Sequence, residues 1–498
     1  MTKKNQEQKS KILVATTKKS QEGLTVKKED NFGKWYDQII AKADISDIRY
    51  NVKGFDVIKS WGAMILENMY EIYEEELQNK GHKPVFFPLV IPEENFKKES
   101  SHVKGFSPNV FWLQKTQGDD KLALRPTSET GFYQMYSIWI RSHRDLPLKL
   151  YQRANVFRYE TKATRPLIRA REFYWIEAHN CFQTKEKAEN QVQEDIQITE
   201  KIMHQKFGVP FLPMKRPEWD KFAGAIYTIG SDVLMPDGKL IQQPSTHFLG
   251  QNFSKAFNIK FKDEEGKERY VWQTCYGPAP SRILASIISI HGDNNGLIIP
   301  FCISPKQIII IPIFDKKNKN KILKESEKIK QKINSLGLKI EIDTSEKRPG
   351  EKYYEWELRG VPFRLEIGKK ELKNKKLTLF IRDIRKKESI SIKDLSKLKK
   401  YGEEFDKRLI LKADKFMKNK IVKCKGKEEI KKTINNKKIA KIDFCSINKE
   451  GEKCAAYIEK DIGAQIRGVM ANKKEKPSGK CVICNKLAKE VVYLGKSY

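Results

Sequence analysis

Residues 153–173, RANVFRYETKATRPLIRAREF, crowd arginine and lysine around Glu160 and Glu172 on what reads as strand, loop, strand. Val156, Phe157 and Tyr159 make the first strand partly apolar, and Phe173, Tyr174, Trp175 and Ile176 open the second. A half-buried strand that still carries Arg158 needs an anion beside it. A fixed guanidinium grips a phosphate or carboxylate through two parallel N–H bonds, where lysine offers only a point charge. A second arginine, Arg282, enters an apolar helix from the loop CYGPAP. It either pairs with a core carboxylate or faces a cleft, and the glycine-proline loop favours the cleft.

The composition narrows the choice of anion. Lys plus Arg is 97 against 64 for Asp plus Glu, a formal charge of +33, which points to a polyanionic partner with nucleic acid leading. No run of about 18 apolar residues offers a membrane span and no basic amphipathic helix stands out, so a soluble cytoplasmic protein is expected. Ile12–Ala15 is too short an apolar patch for a signal-peptide core, and residues 1–31 read as a flexible basic arm. Eight cysteines are too sparse for a disulfide scaffold. Four of them, Cys445, Cys454, Cys481 and Cys484, group near the end of the sequence. A C-x-x-C knuckle plus a second pair at loop spacing suits four thiolates around a tetrahedral, structural zinc.

The elements that position these residues fall into blocks. From Phe32 to about Pro300, helical stretches such as VIKSWGAMILENMYEIYEEELQNKG mix with strands such as PVFFPLVI, predicting a large α+β domain over 32–304. From Lys306 the composition shifts to Ile and Lys, and QIIIIPIF, LKIEID, FRLEIG and LTLFIRD alternate with helical segments. That alternation predicts a parallel-sheet α/β domain over 305–405. A lysine-rich helix, LSKLKKYGEEFDKRLILKADKFMKNK, leads to a small α/β cysteine-bearing domain over 406–498.

Three stretches in order, LALRPTSETGFYQMY, the arginine-rich hairpin and QTCYGPAPSRILASIISIHGDNNGLIIP, resemble the active-site motifs of class II aminoacyl-tRNA synthetases, specifically prolyl-tRNA synthetases of the archaeal and eukaryotic type. The resemblance implies an antiparallel-sheet catalytic domain, an α/β anticodon-binding domain and a zinc-binding-like tail. KPVFFPLVIP, with Pro88, looks like the motif that builds a homodimer interface; by its residues alone it is a core helix feeding an edge strand that proline ends. Arg158 would clamp the α-phosphate of ATP. By similarity Glu160 would accept from the adenine amino group, Phe173 would stack on the ring, and Arg169 and Arg282 would hold the outer phosphates. Gln242 and Ser245 are implied near the adenosine.

For proline, the secondary ammonium needs an acceptor, for which Thr127 and Glu129 serve, and the ring needs an apolar wall, for which Phe106 and Trp175 serve. Similarity adds Glu177, His179 and His247 there. RPTSET alone also fits a helix N-cap with Glu129 facing the dipole. Lys162, Arg165 and Arg171 read as loop cations. In the second domain Arg348, Lys352, Glu355, Arg364 and Glu366 are instruments for reading splayed anticodon bases, or else a solvated helix and sheet edge. Magnesium would arrive with ATP, and the final Tyr498 would fold back towards the catalytic domain.

No deacylase-sized insertion separates the second and third motifs. The reading is a proline–tRNA ligase acting on L-proline, ATP and tRNA(Pro); its rival is a synthetase-like tRNA-binding or regulatory paralogue without activation.

Overall fold

The computed structural model describes residues 23–102, 109–114, 121–160 and 163–498. Its spine is one eleven-stranded sheet. The central strands Tyr227–Leu234, Lys239–Gly250, Trp272–Gly277, Glu172–Phe182 and Leu148–Phe157 follow one another antiparallel. Strand alternation sorts their side chains between two faces. On Glu172–Phe182, Ile176 and Ala178 enter the main core beside Trp35, Ile65 and Ile287 from the helices Phe32–Lys42, Ser60–Asn79 and Pro280–His291. The intervening Phe173, Trp175, Glu177 and His179 face a cleft on the other side.

The stretch PVFFPLVI is not one strand. It splits into Lys83–Pro84, parallel to Leu148–Phe157, and Val90–Pro92, which pairs with Leu122–Leu124. Pro84 and Pro88 have no N–H to continue a ladder. Arg125 holds the pieces together, donating to Phe87 O at 2.9 Å and Asn155 O at 2.9 Å. Nor are residues 23–31 of the expected arm free: Lys28 Nζ donates to Gly292 O at 2.6 Å, and Asn31 caps the first described helix through Lys34 N at 3.0 Å.

The second unit carries a five-stranded sheet. Ile340–Ile342, Ile308–Pro312 and Phe363–Ile367 are parallel, as the strand-helix alternation predicts. Lys376–Ile381 and Lys386–Ser391 are instead antiparallel, because only a tight turn with Arg385 at φ 52° separates them and such a connection closes a hairpin. Arg382, fully buried, donates to both carboxylate oxygens of Asp293 at 2.9 and 2.6 Å and fastens this unit to the first.

The third unit extends the main sheet. Strand Gln465–Met470 pairs with Leu212–Lys215, and Glu490–Ser497 touches Lys239 and Leu240. The expected limit at residue 405 falls inside one continuous helix, Lys397–Lys418, whose Leu398, Phe405 and Leu409 pack on the second unit and whose Met417 packs with Met214 and Tyr493.

That helix is latched to the first unit. After Lys185–Thr199 the chain makes a wider helical turn, with Gln205 N–H reaching Glu200 O at 3.0 Å, and His204 emerges between Glu200 Oε1 and Asp414 Oδ1, each at 2.7 Å. The Glu200 hydrogen bond, opposed by burial and helped by both carboxylate charges, raises the His204 pKa above 6.5 and lowers that of Glu200. The imidazolium's contribution is complete below about pH 6.5, its unfolded value, and disappears as pH rises through the folded pKa. The Glu200 contribution runs the other way, disappearing in acid. His204→Gln is therefore expected to lower the melting temperature at about pH 6, by the equivalent of about 1 kcal/mol or less, and to matter little at about pH 9. A deficit that grows towards alkaline pH would contradict the latch.

Candidate active site

Cross-strand register sets the floor of the cleft. Thr228 lies opposite His247, His247 opposite Cys275, and Cys275 opposite His179, so four strands present one row to a cavity of about 190 Å³. The next residues back, such as Thr246, point to the helices, where its hydroxyl donates to buried Asp195 at 2.6 Å.

One end of the cavity is cationic. Arg158 follows strand Leu148–Phe157, is held by Nε donating to Pro126 O at 3.2 Å, and lies over the rings of Phe173 and Trp175 at 5.2 and 5.0 Å. Arg282 sits in the first turn of Pro280–His291, where Pro280 presets the helical φ; its Nε donates to Ile168 O at 3.2 Å and its guanidinium lies 5.6 Å from the Phe173 ring. Among the described residues neither arginine forms an ion pair, although both face the cavity. Burial lowers the Arg282 pKa to about 10, with Arg158 and Arg169 pushing the same way. Burial lowers that of Arg158 too, against the charges of Glu129, Glu177 and Glu160. Two half-buried guanidiniums facing one cavity, neither in an ion pair among the described residues, make a site for a multivalent anion.

The other end is anionic. Glu129 opens helix Glu129–Trp139 and accepts from Thr127 Oγ1. Behind it Glu177 accepts from Ser128 N at 2.9 Å, Ser128 Oγ at 3.0 Å and Thr127 Oγ1 at 3.2 Å, and lies 3.3 Å from His179 Nε2. Burial pushes the Glu177 carboxyl up, but His179 and Ser128 together hold it below the usual range. It stays ionised. His247 is neutral: burial brings its pKa down to about 3, with Arg216, His179 and Arg158 adding, while its ring nitrogens meet Thr228 Oγ1 at 2.8 Å and Ser245 Oγ at 3.1 Å. An ammonium beside Glu129 and an anion beside Arg158 would stand one cavity-width apart.

The structure thus gathers Thr127, Glu129, Arg158, Phe173, Trp175, Glu177, His179, Gln242, Ser245, His247 and Arg282 around one cavity. Phe106 lies outside the described residues. Glu160 is beyond the lining, yet its charge bears on both Arg158 and Arg282. Arg169 donates to the main-chain oxygen of Tyr498, whose hydroxyl donates to Asp237 at 2.9 Å, so the expected fold-back of Tyr498 is present and Arg169 is engaged by it. Sequence reasoning missed Asp220, Phe222 and Thr228. Thr228 is recognisable only through the register that sets it opposite His247.

In the second unit Arg348 and Glu355 reach the surface region, Glu355 pairing with Lys347 and Arg359. Lys352, Arg364 and Glu366 differ from the expected surface instruments. Lys352 is buried against Asp343, and Arg364 is buried between Glu357 and Glu366 with the Tyr353 ring 3.9 Å away, because these charges tie helix Pro349–Leu358 to the sheet. The thiols of Cys445, Cys454, Cys481 and Cys484 all lie within 4.8 Å of one another. Four sulfur donors at that spacing fit a tetrahedral zinc. The Lys486 amide lowers the Cys484 pKa to about 7.

Three family descriptions match the chain: tRNA synthetase class II core domain (G, H, P, S and T) over residues 111–291, anticodon binding domain over 307–400, and prolyl-tRNA synthetase C-terminal over 427–498. The chain is similar to the proline–tRNA ligase of Thermofilum pendens, 47% identical over 96% of this chain and 100% of that one. It resembles the ligase of Methanococcoides burtonii at 43% over 95% and 98%. Among solved structures it superposes on Giardia lamblia prolyl-tRNA synthetase in complex with prolyl-adenylate, with TM-score 0.92, 36% identity, and coverage of 95% of this chain and 100% of that one. It also superposes on the Cryptosporidium parvum enzyme complexed with halofuginone and AMPPNP, with TM-score 0.88, 33% identity, and coverage of 96% and 100%.

Gly277, inside the third motif, has no room for a side chain: a Cβ there would stand 2.5 Å from Trp175 Nε1. Gly277→Ala is expected to displace the indole and destabilise the protein by about 1–3 kcal/mol, read as a lower calorimetric melting temperature. An unchanged midpoint would show that Trp175 is not held by this contact.

Proposed function

This chain belongs to the prolyl-tRNA synthetases, class II aminoacyl-tRNA synthetases that ligate proline to tRNA at the expense of ATP, and on that premise we propose how its cleft divides the reaction. The observation that carries the assignment is the pair of half-buried guanidiniums, without ion-pair partners among the described residues, at one end of a cavity whose other end is a buried carboxylate.

Proline enters with its ammonium against Glu129 and Thr127 and its ring against Trp175. Glu177, ionised and locked by Ser128 and His179, holds that end in shape, and His247, neutral, supplies polarity without a competing positive charge. Proline's carboxylate then points at Arg158. ATP lies across the cationic end: Phe173 offers a face to the adenine, Glu160 accepts from its amino group, Gln242 and Ser245 border the adenosine, and Arg282 and Arg169 meet the outer phosphates. The carboxylate oxygen attacks the α-phosphorus, the bond to the bridging oxygen breaks, and pyrophosphate leaves as prolyl-adenylate forms. Negative charge grows on the α-phosphoryl oxygens during this step, and Arg158 is preorganised to meet it. Magnesium arriving with ATP would supply further charge neutralisation to this step. In the second step a terminal ribose hydroxyl of tRNA(Pro) attacks the prolyl carbonyl and AMP leaves.

The remaining roles follow from surfaces. We assign the catalytic role to residues up to about 304, anticodon binding to the unit up to about 405 and a zinc-bearing role beyond, with Lys397–Lys418 as a shared beam. Anticodon bases are met by Arg348 and Glu355, while Lys352, Arg364 and Glu366 brace that surface from beneath. Cys445, Cys454, Cys481 and Cys484 would hold a structural zinc, which supplies cross-linking rather than chemistry. Phe86 is 91% exposed, with Leu89, Trp112 and Trp139 also exposed on neighbouring segments, and this apolar face supports a homodimer. No helix among the described residues is long and apolar enough to cross a membrane, consistent with work in the cytoplasm on tRNA.

Arg158→Lys is expected to fold normally and to lose about 3 kcal/mol of transition-state stabilisation, roughly a hundredfold in proline-dependent ATP–pyrophosphate exchange. Near-normal exchange would remove Arg158 from the chemical step. Cys481→Ser is expected to lose about one equivalent of zinc per chain and to loosen the third unit, seen by metal analysis and proteolysis. Equal metal content in the variant would leave these thiols as ordinary core residues.

A further inference from the structure

The row that floors the cleft contains Cys275, to which the proposed proline contacts give no role, beside His179 and below Glu129. Cys275 and His179 sit directly opposite on adjacent antiparallel strands, where side chains on one face are neighbours. Glu129 approaches from the helix above, with Cys275 Sγ 3.8 Å from its Oε1. One donor atom from each of Glu129, His179 and Cys275 lies within 4.8 Å of the others, all three residues are buried, and all three line the cavity. Carboxylate, imidazole and thiol together are the ligand types of a thiophilic divalent cation, and the hard ion magnesium has no use for the sulfur.

We propose that Glu129, His179 and Cys275 form a second metal site, which takes zinc or cadmium at the ammonium end of the cavity and excludes proline while it is occupied. The competition rests on the assignment of this end to proline. The physical reason is that a divalent cation and the secondary ammonium seek the same Glu129 oxygens. Glu177 Oε2 lies 3.3 Å from His179 Nε2 and fixes the ring without needing to ligate. A thiol ligates as the thiolate, so metal binding releases the Cys275 proton to solvent as the sulfur–metal bond forms, and occupancy should rise with pH. Three protein donors leave the fourth position open to water, and the site is a reversible brake rather than a structural clamp.

The test is equilibrium dialysis of the full chain against zinc, with metal content compared between the wild type and Cys275→Ser. Wild type is expected to bind one equivalent more than the variant, whatever the four-cysteine cluster holds, and the additional equivalent should increase from about pH 6.5 to pH 8. Glu129→Gln should weaken it at least tenfold, which guards against a Cys275→Ser chain that fails to fold; melting curves identify that case. Identical stoichiometry in wild type and both folded variants would overturn the site. Proline should displace the additional equivalent, and zinc inhibition of exchange should weaken in proportion to proline concentration, each enzyme being scaled to its own uninhibited rate. A Cys275-dependent equivalent that proline cannot displace would overturn the competition while leaving the metal site, and would place proline elsewhere.

Discussion

Asp232 accepts from two guanidiniums at once, Arg216 at 2.6 and 2.7 Å and Arg467 at 2.9 and 3.0 Å, and the junction between the catalytic sheet and the third unit is built around it. The carboxylate is fully buried, and although burial alone would raise its pKa, the two arginines bring it to about 2. Such a group is costly to bury and costlier to break, since removing one partner leaves uncompensated charge in the interior. Space is made for it by absence: a Cβ at Gly230 would stand 2.4 Å from Arg216 Nη2, and Gly468, at φ 130°, lets the neighbouring strand pass with no side chain against Lys215 O. Arg216 also donates to Gln242 Oε1 at 3.1 Å, so the same guanidinium that binds the seam steadies a residue bordering the cleft.

The cleft works by opposing polarity. Arg158 and Arg282 at one end and the buried Glu129 and Glu177 at the other face a cavity in which electrostatic forces are more weakly screened than in bulk water. Phe173 and Trp175, stacked with centroids 5.1 Å apart, give Arg158 an aromatic face at the cationic end. A zwitterionic amino acid laid along that axis is oriented before any bond changes, because its carboxylate and ammonium each have one favourable end.

Much of the site was legible from residue type and spacing. Alternation along EFYWIEAHNCF predicts which side chains share a face, and Phe173, Trp175, Glu177 and His179 do share it. The pairing of neighbours was not legible, since Thr228 reaches His247 only through strand register, and register is a property of two distant segments. The anticodon residues went astray for a related reason. Lys352 and Arg364 look like surface cations in one dimension, but Asp343, Glu357 and Glu366 lie within reach once helix and sheet meet. Alternation of strand and helix predicted the parallel core of that unit, whereas the short connection at Arg385 carried the information that its last pair must reverse.

The continuous sheet has a consequence for how the molecule is made. Leu212–Lys215 finds its outer neighbour only in Gln465–Met470, and Arg216 bonds a carbonyl 251 residues away. Contacts of that separation close late, because a long loop must be ordered before they reward the chain. Until then the catalytic sheet ends in a strand with unpaired N–H and C=O groups, a template for pairing with any other extended chain. The third unit thus serves as an edge cover, and a protein synthesised without it would carry a nearly whole cleft on a sheet prone to self-association.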